Sequence, residues 1–275
     1  MSARRLSVVV CFVFTAVWAA VGTAPASADS PWAPAASASI HPGVQTTSPS
    51  GQCTANFVFT DGTEVFIGQA AHCTTTGGPT DTNGCMTPSL ELGTPIQVQG
   101  ASQPGELAYN SWIAMQDAGE SEQGMCIFND FALVRLAPAD AAKVNPSVPH
   151  WGGPVALNSS GVPDLSLIYS YGNSSLRFGL TPLSPKIGIV LTTLFGGWDH
   201  QSLAITPGIP GDSGSAVLDA NGNALGILAT LGALGNGVGD LNMELQYMAA
   251  HSELAEVELA AGTEPFNPLQ LPLDL

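Results

Sequence analysis

From Cys53 onward the chain runs in short apolar or alternating stretches broken by Gly, Pro, Asn and Asp. Strands are predicted at Cys53–Thr60, Glu64–Gly68, Pro95–Gln99, Leu107–Met115, Phe131–Leu136, Ser166–Tyr171, Lys186–Leu194, Ser215–Leu218 and Ala224–Leu231. Such runs, rich in β-branched and aromatic residues and bounded by turn formers, suit a pleated surface. Asp61-Gly62 and Asn221-Gly222 lie between pairs of these runs and are hairpin signals. Many short strands at this spacing point to a sandwich or barrel. A Pro/Gly-rich stretch from Asn145 to Pro154 divides the pattern into halves of similar size. Met243–Ala260 has few turn residues. Leu241, Leu245 and Met248 share one face there, as do Leu254 and Val257, which predicts a terminal helix over 241–262 stopped at Gly262, then an irregular tail over 263–275. Glycines 232, 235, 237 and 239 lack the spacing of a phosphate loop and read as a flexible loop.

Composition agrees with a turn-rich β protein: 31 Gly and 21 Pro in 275 residues, with 45% hydrophobic and only 10% charged. The N-terminus adds an address. Arg4 and Arg5 precede an apolar run from about Leu6 to Val21, and Ala26-Ser27-Ala28 supplies a small-residue cleavage site. This predicts a signal peptide over 1–28 and a secreted, extracellular product; the run is short for a membrane anchor. Residues 29–43, rich in Ala, Ser and Pro, are expected to form a flexible lead-in or short pro-segment. Residues 29–275 hold four of the six basic residues and all 22 acidic ones, a net charge of −18. Such a chain repels nucleic acid and anionic membrane, so neither is an expected partner, and a soluble monomer is the simplest reading.

Cys53, Cys73, Cys85 and Cys126 remain once Cys11 leaves with the signal. An even number in an exported chain predicts two disulfides, with three connectivities open. Their gaps of 20, 12 and 41 residues contain no Cys-x-x-Cys pair, so zinc is not expected, and no metal or other cofactor is called for. Cys53, at the start of the hairpin before His72, is placed to pair with Cys73 and so fix the backbone of that histidine. Cys85 with Cys126 would then follow.

Three segments carry chemistry. In Gly211-Asp212-Ser213-Gly214-Ser215, glycines flank a serine. A hydroxyl is a poor nucleophile until a base takes its proton and donors stabilise the oxyanion, and glycines let the backbone turn tightly enough for N–H groups to converge. In Gly68-Gln69-Ala70-Ala71-His72-Cys73, a histidine follows a strand directly. In Asn129-Asp130-Phe131-Ala132-Leu133-Val134-Arg135-Leu136, an aspartate stands at the mouth of an apolar strand, where a buried carboxylate needs a partner. An imidazole N–H is a suitable one. Taken singly, each segment is as well explained by a turn, a surface histidine or a strand cap.

Together, in the order His, Asp, Ser and 58 and 83 residues apart, the segments resemble the chymotrypsin-like serine proteases, in particular their exported bacterial branch, over roughly Val44 to Leu245. The resemblance implies an all-β fold: two six-stranded antiparallel β-barrels packed face to face with a C-terminal α-helix. The first barrel (44–148) would bring His72 and Asp130, the second (149–240) Ser213. It implies a hydrolase that cuts peptide bonds in protein or peptide substrates, with Ser213 as nucleophile, His72 as general base and Asp130 orienting it. Gly211 and Ser213 N–H groups would form the oxyanion hole, and Asp212 would be structural.

Two departures stand out. No Ile-Val-Gly-Gly segment offers an N-terminal ammonium to Asp212, which leaves Arg177 or Lys186 as its partner. Where trypsin-like members carry a specificity aspartate, this chain has Pro207; with Ala229, Thr230 and Gly232 along the opposite wall, an apolar or small P1 residue is expected. Competing readings are a catalytically silent homologue acting as an extracellular binding module, and an esterase using the same residues. His41, His150, His200 and His251 show no ligand spacing and are read as surface residues.

Overall fold

The structure, a computed structural model, describes residues 31–78, 81–232 and 235–270. The expected signal peptide over 1–28 lies outside them. No helix among the described residues is long and apolar enough to cross a membrane.

The first half contributes strands β1 (Gln45–Ser48), β2 (Gly51–Thr54), β3 (Val58–Thr60), β4 (Val65–Ala70), β5 (Pro95–Val98), β6 (Gly105–Asn110) and β7 (Phe131–Arg135). The second contributes β8 (Leu167–Tyr171), β9 (Pro185–Leu194), β10 (Asp199–Ile205), β11 (Ala216–Asp219), β12 (Ala224–Gly232) and β13 (Gly235–Asp240), with a last short strand β14 (Glu258–Leu259). The order β10-β13-β12-β11-β8-β9 closes into a six-stranded barrel. The other sheet, in the order β14-β3-β4-β7-β6-β5-β1-β2, is a curled half-barrel of eight strands. With the C-terminal helix α3 (Leu241–His251) this is the chymotrypsin-like double-barrel architecture.

Alternation along β4 and β7 explains how the halves join. Ile67, Ala132 and Val134 feed one core, inside the first sheet, with Ile96, Leu107 and Trp112. Phe66, Phe131 and Leu133 point the other way. They share a second core with Tyr169, Ala216, Leu218 and Ile227 of the barrel and Met248 of α3. Both faces of these strands are therefore buried, which is why Phe131–Leu136 reads as a nearly unbroken apolar run.

Several expectations are corrected. The Cys53–Thr60 run is two strands, β2 and β3, broken at Asn56, and Leu107–Met115 turns from β6 into helix α1 (Ser111–Ala118). Asn110 Oδ1 accepts the N–H groups of Trp112 and Ile113 there, a side-chain cap that starts a helix inside an apolar stretch. A second short helix, α2 (Gln123–Phe128), is capped by Glu122. Glycines 235, 237 and 239 lie in strand β13, not in a flexible loop. The terminal helix ends at His251 rather than 262: Ser252 is extended, and the chain crosses back so that Glu258 and Leu259 pair with Thr60 and Phe59. Val257, read as helical periodicity, is instead buried in the shared core by this return. The lead-in is docked from Ala33 onward, with Ala33 N–H donating to Val144 O at 2.9 Å and Ile40 fully buried beside Val144. His200 is also buried, 1% exposed, between Thr193 and Asp240.

Candidate active site

Register places the first two groups. β4 and β7 are antiparallel with Ala70 opposite Phe131, so the residue before β7 and the turn after β4 meet at the same end of the sheet. His72 sits in that 3-10 turn, Ala71–Thr74. Its backbone N–H donates to Asp130 Oδ1 at 2.9 Å, and its Nδ1 lies 2.6 Å from Asp130 Oδ2. Ala71 N–H donates to the Asp130 carbonyl at 2.8 Å. Asp130 is only 2% exposed, while His72 keeps a quarter of its side-chain surface. Burial pushes the imidazole down, but the charge of Asp130 and its hydrogen bond outweigh it and hold His72 above its ordinary value. Cys53–Cys73 and Cys85–Cys126 are the disulfides, and the first ties the His72 turn to β2.

The serine is held from the other half of the molecule. It lies between β10 and β11, in a turn where Gly211 (φ +93°) and Gly214 (φ +84°) take left-handed conformations. A Cβ on Gly214 would also lie 2.7 Å from both Ala70 N and Thr54 O, so the turn touches the first sheet's backbone. Thr54 N–H donates to Ser213 O at 2.9 Å, and Thr54 Oγ1 and Gln52 Nε2 donate to Gly211 O at 2.7 and 3.0 Å. The strand bonded to the His72 turn through sulfur thus also grips the serine turn.

Beneath the turn, Asp212 is fully buried. Both candidate partners reach it: Arg177 Nη2 at 2.6 Å and Lys186 Nζ at 3.1 Å, each on Oδ2. Ser174 and Ile209 N–H groups donate to it as well. Burial pushes Lys186 below its usual range, the Arg177 charge adding and Asp212 opposing.

His72 and Ser213 line one cleft of about 290 Å³. No hydrogen bond joins them among the described residues. The Gly211 and Ser213 N–H groups donate to no described acceptor; Ser213 lines the cleft and Gly211 does not. Of the expected pocket residues, Ala229 and Thr230 line the cleft and Pro207 and Gly232 do not. The Pro207 carbonyl accepts from Arg177 Nη2 at 3.0 Å, on the Asp212 side, and its place in the wall is taken by Gly208, followed by Ile209 and Pro210. Gly232 lies at the end of β12, opposite Gly235. Leu228 and Leu231 add apolar surface, and Asp81 and Thr82 stand at the cleft too.

Sequence reasoning missed two residues. Asn236 Oδ1 accepts Gly208 N–H at 2.9 Å and its Nδ2 donates to Thr230 O at 3.2 Å, tying the two walls together. The lone amide in a glycine run was its only signal. Glu244, in α3, accepts the Asp130 N–H at 3.1 Å; a single glutamate in an amphipathic helix carries no signal of such a contact.

No family model and no curated protein matches the sequence. Similar solved structures include protease A of Thermobifida fusca, with 17% identity, a TM-score of 0.49 and coverage of 81% of this chain and 99% of that one. A chymotrypsin of Cellulomonas bogoriensis has 17% identity and a TM-score of 0.48 over 80% and 98% of the two chains. A glutamic-acid-specific serine protease that uses a histidine triad in substrate binding has 18% identity and a TM-score of 0.49 over 80% and 100%.

Proposed function

We propose that the chain is an exported serine endopeptidase, with Ser213, His72 and Asp130 as its triad. The observation that carries this reading is the joint placement of the three groups: the 2.6 Å His72–Asp130 contact, and His72 and Ser213 on the walls of one cleft. Ser213 Oγ attacks the scissile carbonyl carbon while His72 Nε2 takes its proton. Asp130 on Nδ1 fixes the tautomer and stabilises the imidazolium. The oxyanion is received by Gly211 and Ser213 N–H, the leaving amine takes the proton back from His72, and water then hydrolyses the acyl-enzyme by the same relay. The arrangement asks nothing of a metal or cofactor.

Leu228, Ala229, Ile209, Pro210 and Leu231 make the cleft mostly apolar, which supports cleavage after an apolar or small residue. Arg177 and Lys186 on Asp212 replace an inserted N-terminal ammonium, so the serine turn is braced without proteolytic activation. The signal, the disulfides and the acidic surface support a secreted protein acting on peptide or protein substrates as a monomer. The domain reading carried forward is a first lobe with His72 and Asp130, to which β14 returns, and a second lobe with Ser213.

A fluorophosphonate probe tests the assignment: wild type is labelled at Ser213, and Ser213→Ala is not. A folded wild-type protein that stays unlabelled would favour a silent binding module. A P1 library of chromogenic peptides tests the pocket, and fastest cleavage after Arg overturns the apolar preference. Turnover of esters without peptides would point to an esterase.

A further inference from the structure

Glu244 is fully buried in the first turn of α3, a helix capped by Asp240, whose Oδ1 accepts Met243 N–H at 2.9 Å. Its Oε1 accepts the backbone N–H of Asp130, 114 residues away and in the other half of the fold. Its Oε2 is buried with no hydrogen-bond partner among the described residues. Room for the carboxyl comes from Gly239: a Cβ there would lie 2.7 Å from Oε1 and 2.6 Å from Phe128 O. Asp130 is thereby held at every polar main-chain and side-chain atom. Ala71 N–H is on its carbonyl, His72 N–H on Oδ1, His72 Nδ1 on Oδ2, and Glu244 on its amide.

We propose that Glu244 is a positioning residue for the Asp130–His72 pair, acting through its hydrogen bond to the Asp130 amide. This rests on the protease reading above. A buried N–H without an acceptor is costly, and a peptide that tilts to find another would carry the Asp130 carboxylate off the imidazole. A second carboxylate so close to Asp130 would be destructive if charged. Burial, opposed by the Asp130 N–H hydrogen bond and reinforced by the charges of Asp130 and Asp240, holds the Glu244 carboxyl well above its ordinary range.

The titratable groups that face it are Asp130, with His72 on it, at the mouth of β7, and Asp240, with His200 Nε2 at 3.0 Å, at the start of α3. Tyr109 on β6 also faces it, its hydroxyl kept protonated chiefly by burial. Tyr247, one turn along α3, faces Tyr109 in turn, and Asp199 on β10 binds Val238 N–H in the neighbouring strand. Ionising Glu244 adds a second charge beside Asp130, so kcat is expected to fall as pH rises through that ionisation, a dependence that a glutamine at 244 lacks.

Glu244→Ala and Glu244→Gln are compared with wild type by steady-state kinetics across pH and by proton NMR of the low-field His72 Nδ1–H, assigned by its absence in His72→Ala. Glutamine keeps the acceptor and cannot ionise. The expected result is kcat at least about tenfold lower in Glu244→Ala with little change in KM. Glu244→Gln restores most of it and removes that pH dependence. The low-field proton is lost in alanine and kept in glutamine. If alanine prevents folding, Glu244→Met, of similar bulk and without a strong acceptor, takes its place. Unchanged kcat, or a lowered kcat with the low-field proton unmoved, overturns the proposal. Fluorophosphonate labelling of wild type is read separately: if it fails, the protease reading falls, and the NMR arm alone decides whether Glu244 positions the pair.

Discussion

At the scale of single residues, the cleft turns on which proton sits where. On the proposed protease reading His72 must be neutral to accept the serine proton, and Asp130 holds its protonated form in favour above the ordinary value. The acid limb of kcat/KM is therefore expected to have its midpoint above 6.5, the ordinary histidine value. A pH–rate profile with a midpoint below that value would contradict the pairing. Ser213→Ala is expected to abolish turnover while leaving the thermal midpoint nearly unchanged, since the Ser213 side chain makes no hydrogen bond among the described residues and its backbone contact to Thr54 is kept. Differential scanning calorimetry checks the second half of that statement. Asp212 is the opposite case. Asp212→Asn leaves Arg177 and Lys186 buried without a counter-charge and is expected to cost about 3–5 kcal/mol, read from urea unfolding. A loss under about 1 kcal/mol would mean that the turn is braced mainly by its backbone bonds to Thr54 and Gln52.

At the scale of elements, the His72 turn is held by both a covalent and a polar brace. The covalent brace is Cys53–Cys73, closing 20 residues, and on a loop-entropy argument its removal costs about 3 kcal/mol. The polar one is Asn110. Its Oδ1 caps α1 while its Nδ2 donates to Ala71 O and Thr74 Oγ1 in the turn. Asn110→Ala therefore removes an N-cap, worth about 1 kcal/mol, and also loosens the turn that presents His72. The expected signature is a modest fall in stability accompanied by a fall in kcat. Helix destabilisation with kcat intact would show that the disulfide alone suffices.

At the scale of the molecule, acidity dominates. All four basic side chains of residues 29–275 are committed to carboxylates: Arg135 to Glu64 and Glu106, Lys143 to Asp140, Arg177 and Lys186 to Asp212. The remaining acids repel one another in the compact state, so added salt is expected to raise the thermal midpoint. Proton linkage acts in the same sense. Burial raises Asp199 to about 6 and Glu244 well above its ordinary value, and His72 is raised as well. Each is protonated more readily folded than unfolded, so its contribution is present below its unfolded value and is lost as pH rises through its folded one. Asp61 and Asp140, held below 3.8, work the other way only at more acidic pH. The unfolding midpoint is therefore expected to be higher at pH 5 than at pH 7.5; a protein more stable at pH 7.5 would contradict this assignment.

Local patterning was enough to make visible the strands around Asp61-Gly62 and Asn221-Gly222, the start of the terminal helix, the four paired cysteines and the motifs holding His72, Asp130 and Ser213. These are written in short windows: alternation, turn formers, small residues beside a chemical group. What needed the folded chain was everything set by which distant backbone faces which. The cap at Asn110 turned an apolar run into helix, and the return of β14 to β3 ended α3 early. The antiparallel register of β4 and β7 brought His72 onto Asp130, while Asn236 and Glu244 acquired partners 28 and 114 residues away. A hydrogen bond depends on where two atoms lie in space, and for residues so far apart along the chain that position exists only once the sheets have closed around the shared core.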